Sequence, residues 1–443
     1  MAIVIVSKGR PIVLRCITTE VAGRAGQRVR LAGWLHHQRH LARVAFLLVR
    51  DGWGITQVVV EDSGLREETS GLTAETVVEV EGLVVPSDQA PGGVELHDPE
   101  IRVVSTPDQA PPFELRRPQL DARLPTLLDN AALALRHPTR RATARVAAAS
   151  VAGFRGTLDA LGFTEVHTPK IVGSATESGA DVFALDYFGT PAFLAQSPQL
   201  YKQVMVGALE RVYEVGPVFR AEPHATARHL AQYTSLDAEL GFVRDHTDVM
   251  AVVRAAVAGM VGEVAARAAP AVDLLAIELP EVPPEIPAVH FADAQRLIEA
   301  GTGEAVVGEP DLAPAHERWL GEWARREHGS DLLFVVGYPM AKRPFYTHPD
   351  PDRPGLSNSF DLLFRGVELA TGGQRLHRHG DYLAALAGTD LAPLGGYLAA
   401  FRHGMPPHGG FALGLERWVA RLCGAANVRE VTLFPRDMTR LAP

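Results

Sequence analysis

The sequence predicts an α+β protein in two parts: a small five-stranded barrel at the N-terminus, then a larger domain built on an antiparallel sheet flanked by helices. Three observations predict it. Short apolar, β-branched runs broken by Gly, Asp and Pro turns fill the first hundred residues or so. Beyond them, long helical stretches and strand runs occur without a regular strand–helix alternation, which favours an antiparallel sheet over a parallel one. A proline-rich connector at residues 107–118 separates the two.

Taken in order, strands are expected at residues 28–35, 45–50, 56–60, 77–84 and 101–105, with turns at Asp51-Gly52, Asp62-Ser63-Gly64 and Pro91-Gly92-Gly93. Five short strands in about 85 residues suit a Greek-key barrel of the oligonucleotide-binding (OB) type. Residues 1–112 are assigned to this barrel, 113–140 to a hinge and 141–443 to the second domain. There an alanine-rich helix is expected at 139–161 and further helices near 248–268 and 316–328. Strand runs fall at 332–336, 359–364 and 365–371. Residues 266–310, rich in Ala, Pro and Glu, are expected to be peripheral.

A length of 443 residues exceeds one ordinary core, and 47% hydrophobic with 21% charged residues is a globular composition. Two cysteines, Cys16 and Cys423, make no disulfide or zinc framework, and no apolar run approaches the ~20 residues of a membrane span. A cytoplasmic protein without membrane attachment is expected. The net charge of −9 argues against a nucleic-acid partner until its distribution is examined. Residues 1–50 carry nine Lys or Arg against one acid, and residues 51–100 one base against twelve acids. A basic surface attracts phosphates locally even on an acidic chain, although a solvated charged face accounts for the pattern equally well.

The chemistry lies in two distant segments. Phe219-Arg220-Ala221-Glu222 is followed by Thr226-Ala227-Arg228-His229-Leu230 and Ser235-Leu236-Asp237-Ala238-Glu239; far downstream stands Gly409-Gly410-Phe411-Ala412-Leu413-Gly414-Leu415-Glu416-Arg417. No Gly-Lys-Ser/Thr phosphate-binding loop occurs. Arginine forks grip phosphate, carboxylates share magnesium with phosphate oxygens, and glycines let backbone approach a ligand. The two segments resemble motifs 2 and 3 of the class II aminoacyl-tRNA synthetases. Residues 162–170, ending in Thr168-Pro169-Lys170, resemble motif 1, whose proline lies at that family's dimer interface. Gln196-Ser197-Pro198-Gln199-Leu200-Tyr201-Lys202-Gln203 resembles the aspartate-recognition segment of aspartyl-tRNA synthetases. The likeness continues through Gly372-Gly373-Gln374-Arg375 and covers nearly the whole chain. It is closest to the compact archaeal and eukaryotic type, because only about 170 residues separate Glu239 from Gly409, too few for the large inserted domain of bacterial-type enzymes.

The resemblance implies a six-stranded antiparallel class II sheet flanked by helices and a role for each matching residue. Arg220 would hold the α-phosphate and the activated carboxylate, Glu222 the adenine end, and Arg228 and His229 the outer phosphates. Arg417 and Tyr233 would sandwich adenine, Arg417 also reaching the γ-phosphate. Asp361 and Glu368, on one strand and its continuation, would hold Mg²⁺ with ATP. Lys202 and Arg375 would bind the aspartate side chain; Ser197, Gln199 and Asp237 would hold its amino group; Glu177 would close over it from a loop. No residue is placed as a nucleophile, since the amino acid's own carboxylate attacks. His377-Arg378-His379 is opposed as a metal site by its central arginine.

In the barrel, Phe46 resembles the residue that stacks on the central anticodon base, with Gln57 reading its edge and Arg39 and Arg50 nearby. Alternation alone leaves Phe46 equally a core residue. Discriminating relatives place a lysine shortly after the fourth barrel strand; here Pro86 stands in that stretch, with His36 and His37 on the facing loop. The chain is thus expected to charge tRNA(Asp) and also tRNA(Asn), and to depend on a tRNA-dependent amidotransferase for the second product. A homodimer is expected from motif 1. The alternatives are a tRNA(Asp)-restricted enzyme, an asparaginyl-tRNA synthetase, against which Lys202 argues, and a noncatalytic RNA-binding paralogue, against which Arg220, Asp361, Glu368 and Arg417 argue.

Overall fold

The computed structural model describes residues 15–173, 182–221, 223 and 226–442. By compactness the chain divides into residues 1–137 and 138–443.

In the first unit, β1 (Arg28–His40), β2 (Ala45–Arg50), β3 (Ile55–Val60), β4 (Val77–Pro86) and β5 (Val94–Ser105) close a barrel in the order β1-β2-β3-β5-β4. Alternate residues such as Val29, Leu31, Leu35, Leu47, Val58, Val78, Val80 and Leu96 point inward and form its core. A short helix, Ser63–Ser70, capped by the Asp62 carboxylate on the Leu65 N–H, was not foreseen. Two expected strands are longer than their apolar runs: β5 begins at Val94, and β1 continues to His40 across a bulge between Leu35 and His37. His36 and His37 are therefore on a strand, not a loop. The bulge turns Leu35 and His36 inward in succession. Residues 113–134 add a small cluster of Phe113, Leu115, Leu127 and Ala134.

The second unit is built on an eight-stranded sheet. Its strands are β6 (Thr164–Glu165), β10 (Arg211–Phe219), β11 (Gln232–Gly241), β12 (Ala288–His290), β13 (Leu332–Val336), β14 (Ser359–Phe364), β15 (Val367–Arg375) and β16 (His408–Gly414), while β7 (Ile171–Val172), β8 (Ala184–Tyr187) and β9 (Thr190–Leu194) form a separate small sheet. The large sheet runs β12-β13-β14-β15-β16-β11-β10-β6. Its six central strands are mutually antiparallel; β12 and β6 add to the edges in parallel. The expected third strand run, 365–371, starts two residues later and runs on to Arg375: Arg365 and Gly366, both at positive φ, make the tight turn from β14 into β15.

Helices Pro138–Ala160 and His246–Arg267 cover one face. The latter is apolar enough by composition to cross a membrane, yet Val249, Val253, Val257, Met260 and Val264 are core residues packed with Phe334, Phe360 and Phe411. Residues 266–310 are not peripheral: Ala268, Ala271, Ile277 and Ile286 join that core, and Phe291, Ala294 and Ile298 form a second one with Leu320 and Val335. Their spacing hid this because the segment combines short helices with proline-rich extended chain.

Candidate active site

The remaining face of the sheet carries two adjoining cavities. One is lined by Arg220, Arg228, His229, Tyr233, Glu368, Gly414, Glu416 and Arg417, the other by Ser197, Gln199, Arg220, Arg343, Tyr346, Glu368, Arg375 and neighbours. They share Arg220, Tyr233, Ser235, Glu368, Thr371 and Ala412. A substrate in each would meet its partner beside Arg220.

Strand pairing explains the convergence. β11 lies between β10 and β16, so Arg220, just beyond β10, and Tyr233 face the helix Leu415–Leu422 that follows β16. The Arg220 guanidinium carbon lies 5.8 Å from the Tyr233 ring centre. Both Glu416 carboxylate oxygens accept from the Thr234 N–H at 3.0 Å, tying that helix to β11. Between Tyr233 and Arg417 is an open slot: a Cβ added to Gly414 would stand 3.7 Å from Arg417 Cβ and 4.0 Å from Tyr233 Cε2. A flat ring stacked between an aromatic and a guanidinium suits such a space. Arg417 Nη1 donates to Glu368 O at 2.8 Å and Oε1 at 3.2 Å, the His229 ring pairs with Thr226 Oγ1 at 2.6 Å, and Arg228 Nη1 donates to Glu317 Oε2 at 3.1 Å.

Asp361 and Glu368 lie on separate strands of the β14–β15 hairpin, because the Arg365-Gly366 turn intervenes in what the sequence suggested was continuous chain. Arg343 Nη2 donates to both Asp361 oxygens at 3.2 Å, while its guanidinium stacks 4.0 Å above Tyr338. Burial pushes the Asp361 carboxyl above its usual range and Glu368 adds to this, against Arg343. Burial works the same way on Glu368, but Arg417, Arg343 and Arg220 outweigh it and hold that carboxyl low. Among the described residues no group of three or more His, Cys, Asp or Glu could hold a metal ion. Glu368 lines both cavities, whereas Asp361 lines neither and has both oxygens on Arg343; a magnesium ion here would rest on few protein carboxylates and keep waters and phosphate oxygens.

The floor of the second cavity is a buried charge set. Lys202 Nζ lies 3.0 Å from Asp237 Oδ1 and 3.4 Å from Glu239 Oε2, and donates to Phe411 O at 3.0 Å. Arg375 Nε donates to Glu239 Oε1 at 3.1 Å and Nη2 to Gly410 O at 2.9 Å. Burial alone would raise the Glu239 carboxyl, but Arg375 and Lys202 hold it below its ordinary range. Gly410 makes room: a Cβ there would stand 2.0 Å from Glu239 Oε2. Lys202 and Asp237, each 1% exposed, are therefore paired beneath the cavity, not open to it as expected. An interior ammonium needs compensating carboxylates, and these strands supply them. Arg375, Ser197 and Gln199 do reach the cavity, where Gln199 Nε2 is buried with no hydrogen-bond partner among the described residues. Glu177 and Glu222 lie outside the described residues.

Arg343, Glu317, Glu239 and Ser235 were not foreseen as site residues. Arg343 had a signal in Arg343-Pro344-Phe345-Tyr346, a basic and aromatic run; Glu317 had none.

On the barrel, Phe46 is half-buried on the outer face, outside the core cluster, with the Arg39 guanidinium 5.1 Å from its ring centre. Gln57 Nε2 donates to Glu95 Oε2 at 2.9 Å on the same sheet, and Pro86 is exposed as the last residue of β4. Arg50 and His36 are corrections. Arg50 is 1% exposed, bonded to Glu75 Oε2 at 2.9 Å and His36 Nδ1 at 3.2 Å, so it does not reach a base or phosphate. Burial, aided by Arg50, lowers the His36 pKa to about 4.

A six-stranded antiparallel core sheet whose open face carries an arginine-lined cavity, without a Gly-Lys-Ser/Thr phosphate-binding loop and with a five-stranded barrel N-terminal to it, is the architecture of the class II aminoacyl-tRNA synthetase type. Residues 123–438 match the tRNA synthetases class II (D, K and N), and residues 29–104 match the OB-fold nucleic acid binding domain. The chain belongs to the D, K and N group of class II tRNA synthetases. It is 45% identical to the aspartate–tRNA(Asp/Asn) ligase of Deinococcus radiodurans, over 97% of this chain and 99% of that protein, and 45% identical to the enzyme of that name from Thermus thermophilus, over 97% and 100%. Among solved structures, asparaginyl-tRNA synthetase from Pyrococcus horikoshii complexed with asparaginyl-adenylate superposes with a TM-score of 0.91 at 32% identity, covering 98% of this chain and all of that one.

Proposed function

We propose that the chain activates L-aspartate with ATP and transfers it to the 3′ end of tRNA(Asp) and of tRNA(Asn). The observation that carries the amino-acid assignment is Arg375 in the lining of the second cavity, above the charge-balanced set of Lys202, Asp237 and Glu239: its guanidinium presents only donors, which suits a carboxylate and sets donors against the donors of a neutral amide. The two relatives described above support relaxed tRNA choice.

A carboxylate oxygen of aspartate attacks the α-phosphorus in line, the bond from that phosphorus to the bridging oxygen breaks, and pyrophosphate leaves. The terminal ribose hydroxyl of tRNA then attacks the mixed anhydride and AMP departs. Arg220, shared by both cavities, stabilises charge on the α-phosphoryl group; loss of such a donor costs about 3–4 kcal/mol. Arg417 and Tyr233 hold the base, Arg228 and His229 the outer phosphates, and Gln199 with Ser197 the amino-acid main chain. Glu368, with Asp361 behind it, would hold magnesium, which would supply neutralisation of the phosphate charge. Catalysis is thus positioning and electrostatics. Phe46, Arg39 and Gln57 meet the anticodon, and Pro86 leaves its third base unselected. The protein acts in the cytoplasm as a homodimer, and its Asp-tRNA(Asn) requires an amidotransferase.

Aminoacylation of purified tRNA(Asp) and tRNA(Asn) with aspartate tests this. A ratio of kcat/KM within about tenfold is expected, with Pro86→Lys shifting it toward tRNA(Asp); a preference above roughly a hundredfold, ~2.7 kcal/mol, contradicts relaxed choice.

A further inference from the structure

Glu317 is a buried carboxylate in the first turn of the helix Pro314–His328, far in sequence from every motif described above. One of its oxygens, Oε2, accepts two hydrogen bonds, from Arg228 Nη1 at 3.1 Å and from the backbone N–H of Glu368 at 3.2 Å. Both partners line the nucleotide cavity. The helix is locked in place one turn further on: a Cβ at Gly321 would stand 2.4 Å from Gly366 N, and one at Gly366 would stand 2.7 Å from Arg318 Cα, so helix and hairpin turn touch backbone to backbone. Gly366 lies two residues before Glu368, so the contact that seats the helix also sets the height of Glu368. Burial and the neighbouring Glu368 carboxylate raise the Glu317 carboxyl above its ordinary range, and the Glu368 N–H, Arg228 and Arg417 act against them.

We propose that Glu317 is a positioning residue for the nucleotide: it aims the Arg228 guanidinium at the phosphate end of the cavity and fixes the backbone from which Glu368 projects. Arg228 sits on irregular chain between β10 and β11, where a long side chain has many rotamers; a fixed carboxylate selects one before the nucleotide arrives. Neither Glu317 nor Arg228 lines the second cavity or bonds to Lys202, Asp237, Glu239 or Arg375, and Glu368 is the one link to it, so the larger effect falls on ATP. The inference rests on the reading of this cavity as the ATP site.

The test compares Glu317→Ala, Glu317→Gln, Arg228→Ala and the Glu317→Ala/Arg228→Ala double variant. Readouts are ATP–pyrophosphate exchange with separate KM values for ATP and aspartate, equilibrium dialysis of ATP, and thermal unfolding. Glu317→Ala should weaken ATP, in KM and in dialysis, by about tenfold or more, since small misplacement of a phosphate clamp is costly. KM for aspartate should stay within about threefold, and adding Glu317→Ala to Arg228→Ala should cost less than about threefold, because the two act as one unit. Glu317→Gln, which keeps an acceptor for the Glu368 N–H, should fall between wild type and Glu317→Ala. Unchanged ATP affinity, independent effects of Glu317 and Arg228, or a parallel loss for both substrates with a lower melting temperature would each overturn the proposal. If the wild type binds ATP but shows no aspartate-dependent exchange, the amino-acid assignment fails, and ATP dialysis still decides for or against Glu317. A wild type that binds no ATP overturns both.

Discussion

Replacing Lys202 by Met removes one charge from the buried set while keeping an unbranched chain of similar length, so lost electrostatics dominate over a cavity. In the native protein Lys202 Nζ compensates Asp237 at 3.0 Å and Glu239 at 3.4 Å, and Arg375 compensates Glu239 from the other side at 3.1 Å. The variant leaves two buried carboxylates facing one guanidinium, and removing one partner of such a set costs about 3–5 kcal/mol. At roughly 1.5 °C per kcal/mol for a unit the size of residues 138–443, the melting midpoint should fall by on the order of 5–8 °C. The same excess negative charge lies under the bound aspartate carboxylate, so kcat/KM for aspartate should drop about a hundredfold or more. Arg220, Tyr233 and Arg417 do not contact Lys202, and KM for ATP should change less than about threefold. Pyrophosphate exchange at varied aspartate and varied ATP, with a thermal melt of the same preparation, reads all three. An unchanged midpoint together with an unchanged aspartate KM, or equal losses for the two substrates, would refute the reasoning.

Gly414→Val puts methyl groups into the slot between Tyr233 and Arg417, so KM for ATP should rise at least about tenfold, by analogy with overpacking costs of 1–3 kcal/mol, while the melting midpoint stays put; titration with ATP and a thermal melt check this. His36 has a folded pKa of about 4, below its ordinary 6.5, so the neutral ring contributes stability that is complete above pH 6.5 and is lost as pH falls toward 4. Urea unfolding of the full chain across that window should show the loss, and His36→Gln should flatten it. Phe46→Ala should weaken tRNA by ~1–3 kcal/mol, the value of one base stack, without changing tRNA-independent pyrophosphate exchange; filter binding with both tRNAs measures it.

That Arg220, Tyr233, Gly414 and Arg417 gather around one cavity was legible because they sit on or beside β10, β11 and β16, which are paired neighbours in the sheet, so order along the chain translated directly into adjacency. Phe46 was left undecided by alternation alone, and it is the barrel's register that turns it outward beside Arg39. Where reading failed, a local feature broke the pattern. The Leu35–His37 bulge shifted His36 into the interior, where it meets Arg50, and the Arg365-Gly366 turn folds β15 back on β14, so that Asp361 and Glu368 stand on paired strands and not on one strand and its continuation. Lys202 and Asp237 carry the right chemistry at a depth that no linear pattern reports, since their burial depends on Glu239 and the Gly410 backbone arriving from other strands. Glu317 and Arg343 reach the site only through tertiary packing, Glu317 from the helix expected near 316–328 and Arg343 from a stretch given no element.

The most direct test of the central claim is amino-acid-dependent ATP–pyrophosphate exchange by the purified chain, with aspartate and asparagine supplied separately. The donor-only Arg375 guanidinium in the cavity lining predicts exchange with aspartate and a rate with asparagine at least about a hundredfold lower, because an amide would set donors against donors. Exchange driven by asparagine, or by neither amino acid, would contradict it.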